Sequence, residues 1–217
     1  MKINSEKVTV AGPVGILEGI LDIPDLPRST IDSPAYISVN CHPHSLHGGS
    51  MTNKVIHTVS RCIAGLGIPS LRFNFRGVGK SEGSFDHGQG ERQDLAAAID
   101  WLEKRYPNAK LILSGFSFGA YVTALAANDL SPTLLLSVAP PVKRFDFDGF
   151  MRPRADWTVI MGDEDELVEF SAVQEWVTTF EPVPQLVTMN GASHFFHGRL
   201  LELREHVESC VDAHINN

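Results

Sequence analysis

The N-terminal part of this chain has a pattern of apolar and polar residues that predicts two paired strands. Val8–Val10 and Ile16–Ile23 are short apolar-rich runs, and a Gly12-Pro13 turn lies between them. Such runs around a tight turn are typical of an antiparallel hairpin, which we expect at the edge of a sheet. The segment from Asp25 to Pro34 is rich in proline and serine, and it predicts a loop.

From Ala35 onward, short apolar runs alternate with stretches whose apolar residues recur at helical spacing. The runs predict strands at Tyr36–Val39, Ser70–Phe75, Leu111–Leu113, Leu134–Val138, Trp157–Met161 and Leu186–Met189. The helical stretches are Val55–Leu66, Leu95–Tyr106, Ala120–Asn128, Val173–Phe180 and Leu200–His214. This alternation is typical of βαβ units, so it predicts the α/β class, with a mostly parallel sheet of about eight strands and helices on both faces. Such sheets bind ligands outside the carboxyl ends of their strands.

Length and charge restrict the number of domains and the classes of partner. The 217 residues are 43% hydrophobic, which is enough for one core and short for two α/β domains, so we expect a single domain over residues 1–217. The net charge of −8 leaves no basic stripe for a phosphate backbone, which argues against a nucleic-acid partner.

The cysteines and the N-terminus indicate the compartment. Cys41, Cys62 and Cys210 are odd in number and widely spaced, so they predict small buried apolar side chains in a reducing compartment rather than disulfides or a metal site. The first ten residues lack the apolar core of a secretory signal, and no apolar run reaches the ~18 residues of a membrane span. We therefore expect a cytoplasmic protein with no membrane partner.

The pentapeptide from Gly115 to Gly119 is the first candidate for chemistry. It stands where an apolar strand gives way to an alanine-rich helical pattern. A sharp turn from strand to helix exposes its middle side chain and needs glycine on both sides, which is the geometry that a serine nucleophile requires. In a chain with 18 glycines the pentapeptide alone is a modest signal, so Ser117 needs support from the rest of the sequence.

Two later strand ends supply candidate partners for Ser117. A serine nucleophile needs a base to take its proton and a third group to orient that base. Gly162–Val168 follows the predicted strand at Trp157–Met161 and carries four carboxylates, and His194 follows the last predicted strand. Chemistry alone does not separate the four acids, Asp163, Glu164, Asp165 and Glu166.

From about Ala35 to Leu200 the chain resembles an α/β-hydrolase. The segments that carry the resemblance are His42–Val55, Arg72–Gly83, Gly115–Gly119, Gly162–Val168 and Gly191–Phe196, and the order nucleophile, acid, histidine is that of this fold. More narrowly it is similar to small lidless bacterial hydrolases related to dienelactone hydrolase and to prolyl-oligopeptidase-like catalytic domains. In that family the acid stands three residues after the strand-ending glycine, which implies Asp165, with Asp163 second. Dienelactone hydrolases use cysteine where this chain has Ser117, so their substrate is not implied.

The resemblance also implies the position of an oxyanion hole. In this fold one donor is the backbone N–H of the residue after the nucleophile, here Phe118. The other comes from the loop after the first parallel strand, His42-Pro43-His44. Because proline has no N–H, the backbone of His44 is the expected donor.

Two other interpretations of the polar loops stay open at this stage. His42, His44 and His47 could form a metal cluster or simply shape a loop, but no carboxylate or cysteine completes a ligand spacing and a serine triad needs no ion, so we expect no metal and no cofactor. Gly79-Lys80-Ser81 matches the end of a phosphate-binding loop, but Asn74 stands where its first glycine belongs.

The glycine-rich stretch from Gly77 to Gly90 is better interpreted as a mobile loop beside the cleft. We expect hydrogen bonds of Arg76 to hold it, and Phe85 and His87 could reach substrate. His197 is a residue near a helix start rather than a second base.

The connection after the predicted strand at Leu134–Val138 determines how open the cleft is. Only the fourteen residues from Lys143 to Asp156 separate Val142 from Trp157, which leaves no room for a helical cap. An open cleft favours small, soluble esters or thioesters. The apolar residues of this connection, which could form one wall or be ordinary packing, are Phe145, Phe147, Phe150 and Met151.

These features predict a serine hydrolase that cleaves small soluble carboxylic esters through an acyl-enzyme, with Ser117 as nucleophile, His194 as base and Asp165 as its orienting acid. A thioesterase or peptidase of the same mechanism is the alternative within the enzyme class. The alternative from another class is a non-catalytic binding module, which would be expected to have a broken triad. An edge strand near the N-terminus or toward the last strands could pair two copies into a homodimer.

Overall fold

The computed structural model describes residues 1–26, 31, 33–147 and 150–216. Half of the predicted loop from Asp25 to Pro34, residues 27–30 and 32, lies outside the described residues. Residues 148–149, in the connection before Trp157, lie outside them as well.

Eight strands form one sheet, as the alternating pattern predicts. They are β1 (Ile3–Gly12), β2 (Gly15–Pro24), β3 (Tyr36–Cys41), β4 (Ser70–Phe73), β5 (Lys110–Phe116), β6 (Leu134–Val138), β7 (Asp156–Gly162) and β8 (Gln185–Met189). Their order across the sheet is β1-β2-β4-β3-β5-β6-β7-β8. β1 pairs antiparallel with β2 and β2 with β4, whereas every later pair is parallel. The predicted hairpin at the edge and the mostly parallel α/β sheet are confirmed.

Five α-helices of the described chain cover both faces of the sheet. They are α1 (Lys54–Gly65), α2 (Gln89–Arg105), α3 (Phe118–Leu130), α4 (Phe170–Thr178) and α5 (Leu200–Ile215). α1 packs against α5, and α2 packs against α3. None of these helices combines the length and the apolar composition that crossing a bilayer requires.

The core explains why β3 to β7 are nearly continuous apolar runs. Parallel strands covered by helices on both faces bury the side chains of both faces, so alternation disappears. All five residues of β6 are buried, and five of the six in β3 are buried too. In β1 only Val8 and Val10 are buried, because this edge strand has one face toward solvent.

Register brings the carboxyl ends of the parallel strands to a common level. Cys41 of β3 lies beside Gly115 of β5, which in turn lies beside Ser137 of β6. Gly162, the last residue of β7, lies beside Met189, the last residue of β8. The loops that follow β3, β5, β7 and β8 therefore meet at one edge, and the candidate residues of all these loops are brought to the same place.

Three helices, α2, α3 and α4, begin two or more residues before the start that their apolar periodicity predicts, and α4 does so at Phe170 rather than Val173. α2 begins at Gln89 rather than near Leu95, because the Glu91 side chain accepts the backbone N–H groups of Asp86 and Gly88 at 2.9 and 2.8 Å and so caps the helix start. Its first turn is polar, so the apolar pattern misses it. α3 begins directly at Phe118, the residue after Ser117.

The three cysteines are free thiols, as their spacing predicts. Cys41 and Cys62 are buried, and Cys210 is half-buried. Burial raises the pKa of Cys62 to about 11, so this thiol stays protonated near neutral pH.

Candidate active site

Ser117 stands in the strained turn between β5 and α3. Its backbone has φ 54° and ψ −118°, a conformation that costs a non-glycine residue roughly 1–3 kcal/mol. The Ser117 N–H donates to the Val138 carbonyl at 2.8 Å, and the Ser117 carbonyl accepts the N–H of Ala120 at the start of α3. The turn is thus fixed from both sides, and it holds the hydroxyl out of the backbone toward the cleft.

The two glycines of the pentapeptide are required by close approach of backbones. A Cβ on Gly115 would lie 2.2 Å from the carbonyl oxygen of Gly119, and a Cβ on Gly119 would lie 2.2 Å from the carbonyl oxygen of Cys41. Real Cβ atoms do not approach so closely, and the neighbour in each case is backbone that cannot rotate away. The sequence therefore lets α3 start in contact with β3 and β5.

His194 joins Ser117 to Asp165 in one hydrogen-bonded series. His194 Nε2 lies 3.1 Å from Ser117 Oγ, and His194 Nδ1 lies 2.7 Å from Asp165 Oδ2. The side chains of His194 and Asp165 are only 2% and 0% exposed. Since a carboxylate can only accept, Nδ1 carries the proton and Nε2 is left to accept the hydroxyl proton of Ser117. This is the arrangement in which an imidazole can act as a base toward a serine.

The geometry separates the four carboxylates that chemistry alone leaves open. Asp165 Oδ1 accepts the N–H groups of Leu167 and Val168 at 2.8 and 2.7 Å, which orients its other oxygen toward His194. Asp163 Oδ1 instead accepts the N–H of Gly191 at 2.6 Å. Glu166 accepts the backbone N–H of His194 at 3.0 Å. Within the described residues, Asp165 is the carboxylate that contacts the imidazole.

The loops after β7 and β8 are tied together around this contact. A Cβ on Gly162 would lie 2.1 Å from the Ala192 carbonyl oxygen, so the two loops touch at backbone level. The Glu164 N–H donates to that same carbonyl at 3.2 Å. Together with the Asp163 bond to Gly191, these contacts fix the distance between Asp165 and His194.

The residues His44 and Phe118 line the same cavity as Ser117, and their backbone amides are the expected oxyanion donors. Neither the N–H of His44 nor that of Phe118 donates to any group in the part of the chain that the structure describes. The His44 carbonyl accepts the N–H groups of His47 and Gly49 at 3.1 and 3.0 Å, which holds the loop after β3 in place. A free N–H beside a serine nucleophile is what an oxyanion needs.

His42 is a structural residue rather than a metal ligand. It is fully buried, its Nδ1 lies 2.6 Å from the Pro43 carbonyl oxygen, and its Nε2 accepts the Phe75 N–H at 3.0 Å. Burial lowers the pKa of His42 to about 4, so it is neutral in the folded protein. No group of three or more side chains that could hold a metal ion is present among the described residues.

His44 and His47 stack on each other at the mouth of the cleft. Their ring centroids lie 4.5 Å apart, and the other side of His44 packs against Phe118 and Phe85. Burial, followed by the nearby imidazoles of His47 and His87, lowers the pKa of His44, so its ring is neutral near pH 7.

Two cavities open beside Ser117. The larger one, of about 290 Å³, is lined by His44, His47, Ser117, Phe118, Pro141, Arg144, Phe145, Leu167, Val168 and His194. The smaller one, of about 90 Å³, is lined by Pro43, His44, His47, Gly48, Gly49, Asn53, Ser117, Leu167, His194 and Phe195. Bigger surface hollows exist, such as one of about 400 Å³ beside Arg92 and Asp129, but none of those contains Ser117 or His194.

Sequence reasoning missed several residues of the cavity wall. Leu167 and Val168 could have been found from their position directly after the acid. Arg144 carries no sequence signal, because it follows a Pro-Pro turn and belongs to no motif.

The four apolar residues of the connection after β6 divide between the two predicted roles. Phe145 lines the larger cavity and packs against Phe118 and Tyr121, with ring centroids 5.3 and 4.9 Å apart. Phe147 and Phe150 instead pack against Trp176, which is ordinary core packing, and Met151 is 72% exposed.

The glycine-rich loop after β4 is held as predicted by Arg76. Its guanidinium donates to Asp94 of α2 at 2.8 to 3.1 Å, and its backbone N–H donates to the same carboxylate. Phe85 packs behind His44 and Phe118, and His87 packs against Phe85, so neither lines the two cavities. His197 is exposed and lies just before α5, as predicted for a residue near a helix start.

The phosphate-binding-loop interpretation of Gly79-Lys80-Ser81 requires a helix directly after Ser81. The next helix of the described chain begins only at Gln89, so this interpretation is not supported.

One family model matches more than half of the chain. The model for X-Pro dipeptidyl-peptidase (S15 family) matches residues 32–152. The matched part contains Ser117 and the loop after β3, whereas Asp165 and His194 lie beyond it.

Two solved structures of bacterial proteins resemble the whole chain closely. An α/β serine hydrolase without a lid from Xanthomonas campestris has a TM-score of 0.90 and 44% sequence identity, over 98% of this chain and 96% of that one. An α/β serine hydrolase homologue from Coxiella burnetii has a TM-score of 0.88 and 42% identity, over 96% of this chain and 98% of that one. In addition, an uncharacterized protein from Rickettsia prowazekii is 33% identical over 210 residues, which is 92% of this chain and 86% of that protein.

Proposed function

Because this chain belongs to the α/β-hydrolase superfamily, in its S15 peptidase family, we propose that it is a serine hydrolase that cleaves small carboxylic esters through an acyl-enzyme intermediate. The observation that carries the proposal is the hydrogen-bonded series from Ser117 through His194 to Asp165 at the mouth of an open cavity. A strained backbone at a serine that is aligned on a buried imidazole costs stability, and such strain is typical of functional sites, so it favours an active enzyme over an inactive protein of the same fold.

The proposed reaction begins with proton transfer from Ser117 Oγ to His194 Nε2 while Oγ forms a bond to the ester carbonyl carbon. The free amides of His44 and Phe118 stabilise the negative oxygen, and Asp165 stabilises the imidazolium. The bond from carbon to the alcohol oxygen then breaks, and His194 gives its proton to that oxygen. Water repeats the sequence on the acyl group, giving a proton to His194, and Ser117 is released with its proton restored.

Peptide cleavage is the second candidate, and the S15 family match favours it. A peptidase that removes N-terminal dipeptides must hold the free amino group of its substrate, and a carboxylate in the cleft is the usual partner for an ammonium group. No acidic side chain is among the described residues that line the two cavities beside Ser117. This difference supports an ester or a thioester over an X-Pro peptide.

Compartment and partners complete the proposal. We propose a cytoplasmic enzyme, on the support of three free thiols, with a small-molecule ester or thioester as substrate and neither nucleic acid nor membrane as partner. A homodimer through an edge strand stays a prediction.

Active-site labelling tests the nucleophile. A fluorophosphonate should label the folded protein at Ser117 alone, and Ser117→Ala should abolish both labelling and the hydrolysis of p-nitrophenyl esters. Equal turnover by wild type and Ser117→Ala would instead support a binding module. Parallel assays with acyl-thioesters and X-Pro amides rank the substrate classes.

The acid has a matched control in the same loop. Asp165→Asn removes the charge that orients His194 and is expected to lower kcat by roughly 10³–10⁴-fold. Asp163→Asn also removes a negative charge but keeps the Oδ1 oxygen that accepts the Gly191 N–H, so the two loops stay tied together and kcat should stay within a few-fold of wild type. Equal losses in the two variants would contradict the assignment of Asp165.

A further inference from the structure

Arg144 is an exposed cationic residue in the wall of the larger cavity. The residue lines the 290 Å³ cavity together with Ser117 and His194. Its guanidinium makes no hydrogen bond or ion pair to another side chain within the described residues, although Lys143 beside it pairs with Glu169 at 3.5 Å. An arginine fork is a planar donor suited to a carboxylate, so an unpaired one in a substrate cavity points to an anionic group of the ligand.

The surroundings of Arg144 are otherwise apolar or neutral. Pro141, Phe145, Leu167 and Val168 supply most of the wall, and no described carboxylate lines it. This contrasts with the chain as a whole, whose net charge is −8. Two acids close in sequence to the wall residues Leu167 and Val168 have other partners. Asp165 accepts from Leu167, Val168 and His194, and Glu169 accepts from Ser171 and pairs with Lys143.

The backbone holds Arg144 at this position. The N–H groups of Arg144 and Phe145 both donate to the Pro141 carbonyl, at 3.0 and 3.3 Å. The Phe145 ring is in turn packed between Phe118 and Tyr121. The turn that carries Arg144 is therefore anchored to α3, the helix that begins immediately after the nucleophile.

The two cavities differ in which half of an ester each suits. A leaving alcohol must take its proton from His194, and Phe195, the residue after this histidine, lines only the smaller cavity. Phe118, the residue after the nucleophile, lines only the larger cavity. Ser117 and His194 line both cavities, so we assign the acyl half to the larger one, where Arg144 lies, and the alcohol half to the smaller one. At about 290 Å³ this cavity is at the lower end of the roughly 300–1,000 Å³ typical of small-molecule sites, which suits a short acyl chain.

We propose that Arg144 selects esters whose short acyl chain ends in a carboxylate, that is, monoesters or thioesters of dicarboxylic acids. This inference rests on the proposed function, because it concerns the substrate of the same site. Arg144 binds the distal carboxylate while Ser117 attacks the ester carbonyl. The hydrolysis itself is unchanged, and the products are the alcohol and the free dicarboxylate.

Paired substrates test the proposal. p-Nitrophenyl hemiglutarate and p-nitrophenyl pentanoate share a leaving group and a chain length, and they differ in the distal carboxylate. Spontaneous hydrolysis of both is measured with Ser117→Ala and subtracted. Wild type should prefer the hemiglutarate, and Arg144→Gln should lower the ratio of the two kcat/KM values about tenfold, with part of the ratio restored in Arg144→Lys.

Lys143→Gln is the matched control. It removes a neighbouring positive charge that is paired with Glu169 and does not line either cavity, so the ratio should stay as in wild type. An unchanged ratio in Arg144→Gln, or an equal fall in Lys143→Gln, would overturn the proposal. A preference for charge on the leaving group, measured with 4-carboxyphenyl against phenyl pentanoate, would overturn it too.

The experiment distinguishes a failure of the proposed hydrolase function from a failure of the proposed substrate class. If wild type and Ser117→Ala turn over every ester at the same rate, the hydrolase assignment falls and the substrate class falls with it. Turnover that depends on Ser117 but not on Arg144 overturns only the selection of a dicarboxylate monoester.

Discussion

At the scale of single residues, the three histidines of the loop after β3 have different roles. His42 is buried and joins two loops by hydrogen bonds, whereas His44 supplies a free backbone N–H and, with His47, one side of the cavity. The sequence shows three similar imidazoles within six residues. The burial of His42 and His44, which lowers the pKa of each, depends on residues that are distant in the chain, Phe75 and Phe118 respectively.

His42 gives the folded protein a pH-dependent stability. Its pKa is about 4 in the folded state against 6.5 for a free histidine, so between these values only the unfolded chain binds the proton. The neutral, buried His42 therefore stabilises the folded state fully only above about pH 6.5. As the pH falls toward 4 the free energy of unfolding decreases, by about 2 kcal/mol between pH 7 and pH 5.

Urea titrations at a series of pH values measure this effect. His42→Gln keeps one donor and one acceptor, and although it lowers stability at pH 7, its free energy of unfolding should fall less steeply between pH 7 and pH 5. Parallel curves for the two proteins would contradict the role of His42.

At the scale of elements, the turn between β5 and α3 determines where Ser117, the proposed nucleophile, lies. Ser117 accepts an unfavourable φ because Val138, Gly119 and Cys41 fix the surrounding backbone. The sequence predicts this turn because glycine at both positions is a local requirement. Gly119 is also required because its backbone touches Cys41 of β3, and this tertiary contact cannot be inferred from the sequence.

Substitution of the first glycine should disrupt this turn. Gly115→Ala places a Cβ 2.2 Å from the Gly119 carbonyl oxygen and is expected to cost about 3 kcal/mol, with loss of fluorophosphonate labelling at Ser117. Gly65→Ala is the control, since a Cβ there meets nothing within 4 Å and alanine favours the helix by ~0.5–1 kcal/mol. Equal stability of the two variants in urea would contradict the close approach.

The link between Arg76 and Asp94 is a second element-scale prediction. Both side chains are nearly buried, at 6% and 0% exposure. Asp94→Asn leaves the buried guanidinium with only the more distant, exposed Asp86 as a paired carboxylate among the described residues, at 3.9 Å, and should cost about 3 kcal/mol. Asp100→Asn in the same helix removes an exposed partner of Lys104 and should cost no more than ~0.5 kcal/mol. Thermal unfolding of the two variants under the same conditions measures the difference, and similar melting temperatures would contradict it.

At the scale of the whole molecule, the buried apolar residues form one cluster that includes residues from β1 to α5. We propose on this basis that residues 1–217 form a single domain, because a shared core couples the unfolding of its elements. Tryptophan fluorescence reports on Trp157 in the core and on Trp101 and Trp176, which pack against it. Fluorescence and far-UV circular dichroism should then give the same urea midpoint. Separate midpoints would indicate two units.

Much of this architecture could be predicted because it depends on local pattern. The hairpin, the parallel strands and most helices follow from period and turn residues, and the start of α2 was missed because a Glu91 cap replaces an apolar signal there. Among the site residues, Ser117 and His194 were identified by their place after strands, and the choice of Asp165 among four acids came from the family resemblance rather than from chemistry.

The sequence by itself determined the α/β class and the order in which a serine, an acid loop and a histidine follow successive strands, because periodicity and glycine turns act over a few residues. Only the tertiary structure decided that Asp165 faces His194, that His42 is buried and neutral, and that Arg144 lines the cavity beside Ser117. These facts are distances and burial between segments that are tens of residues apart. They are set by the register of the sheet and the packing of loops at its edge, which no local pattern encodes.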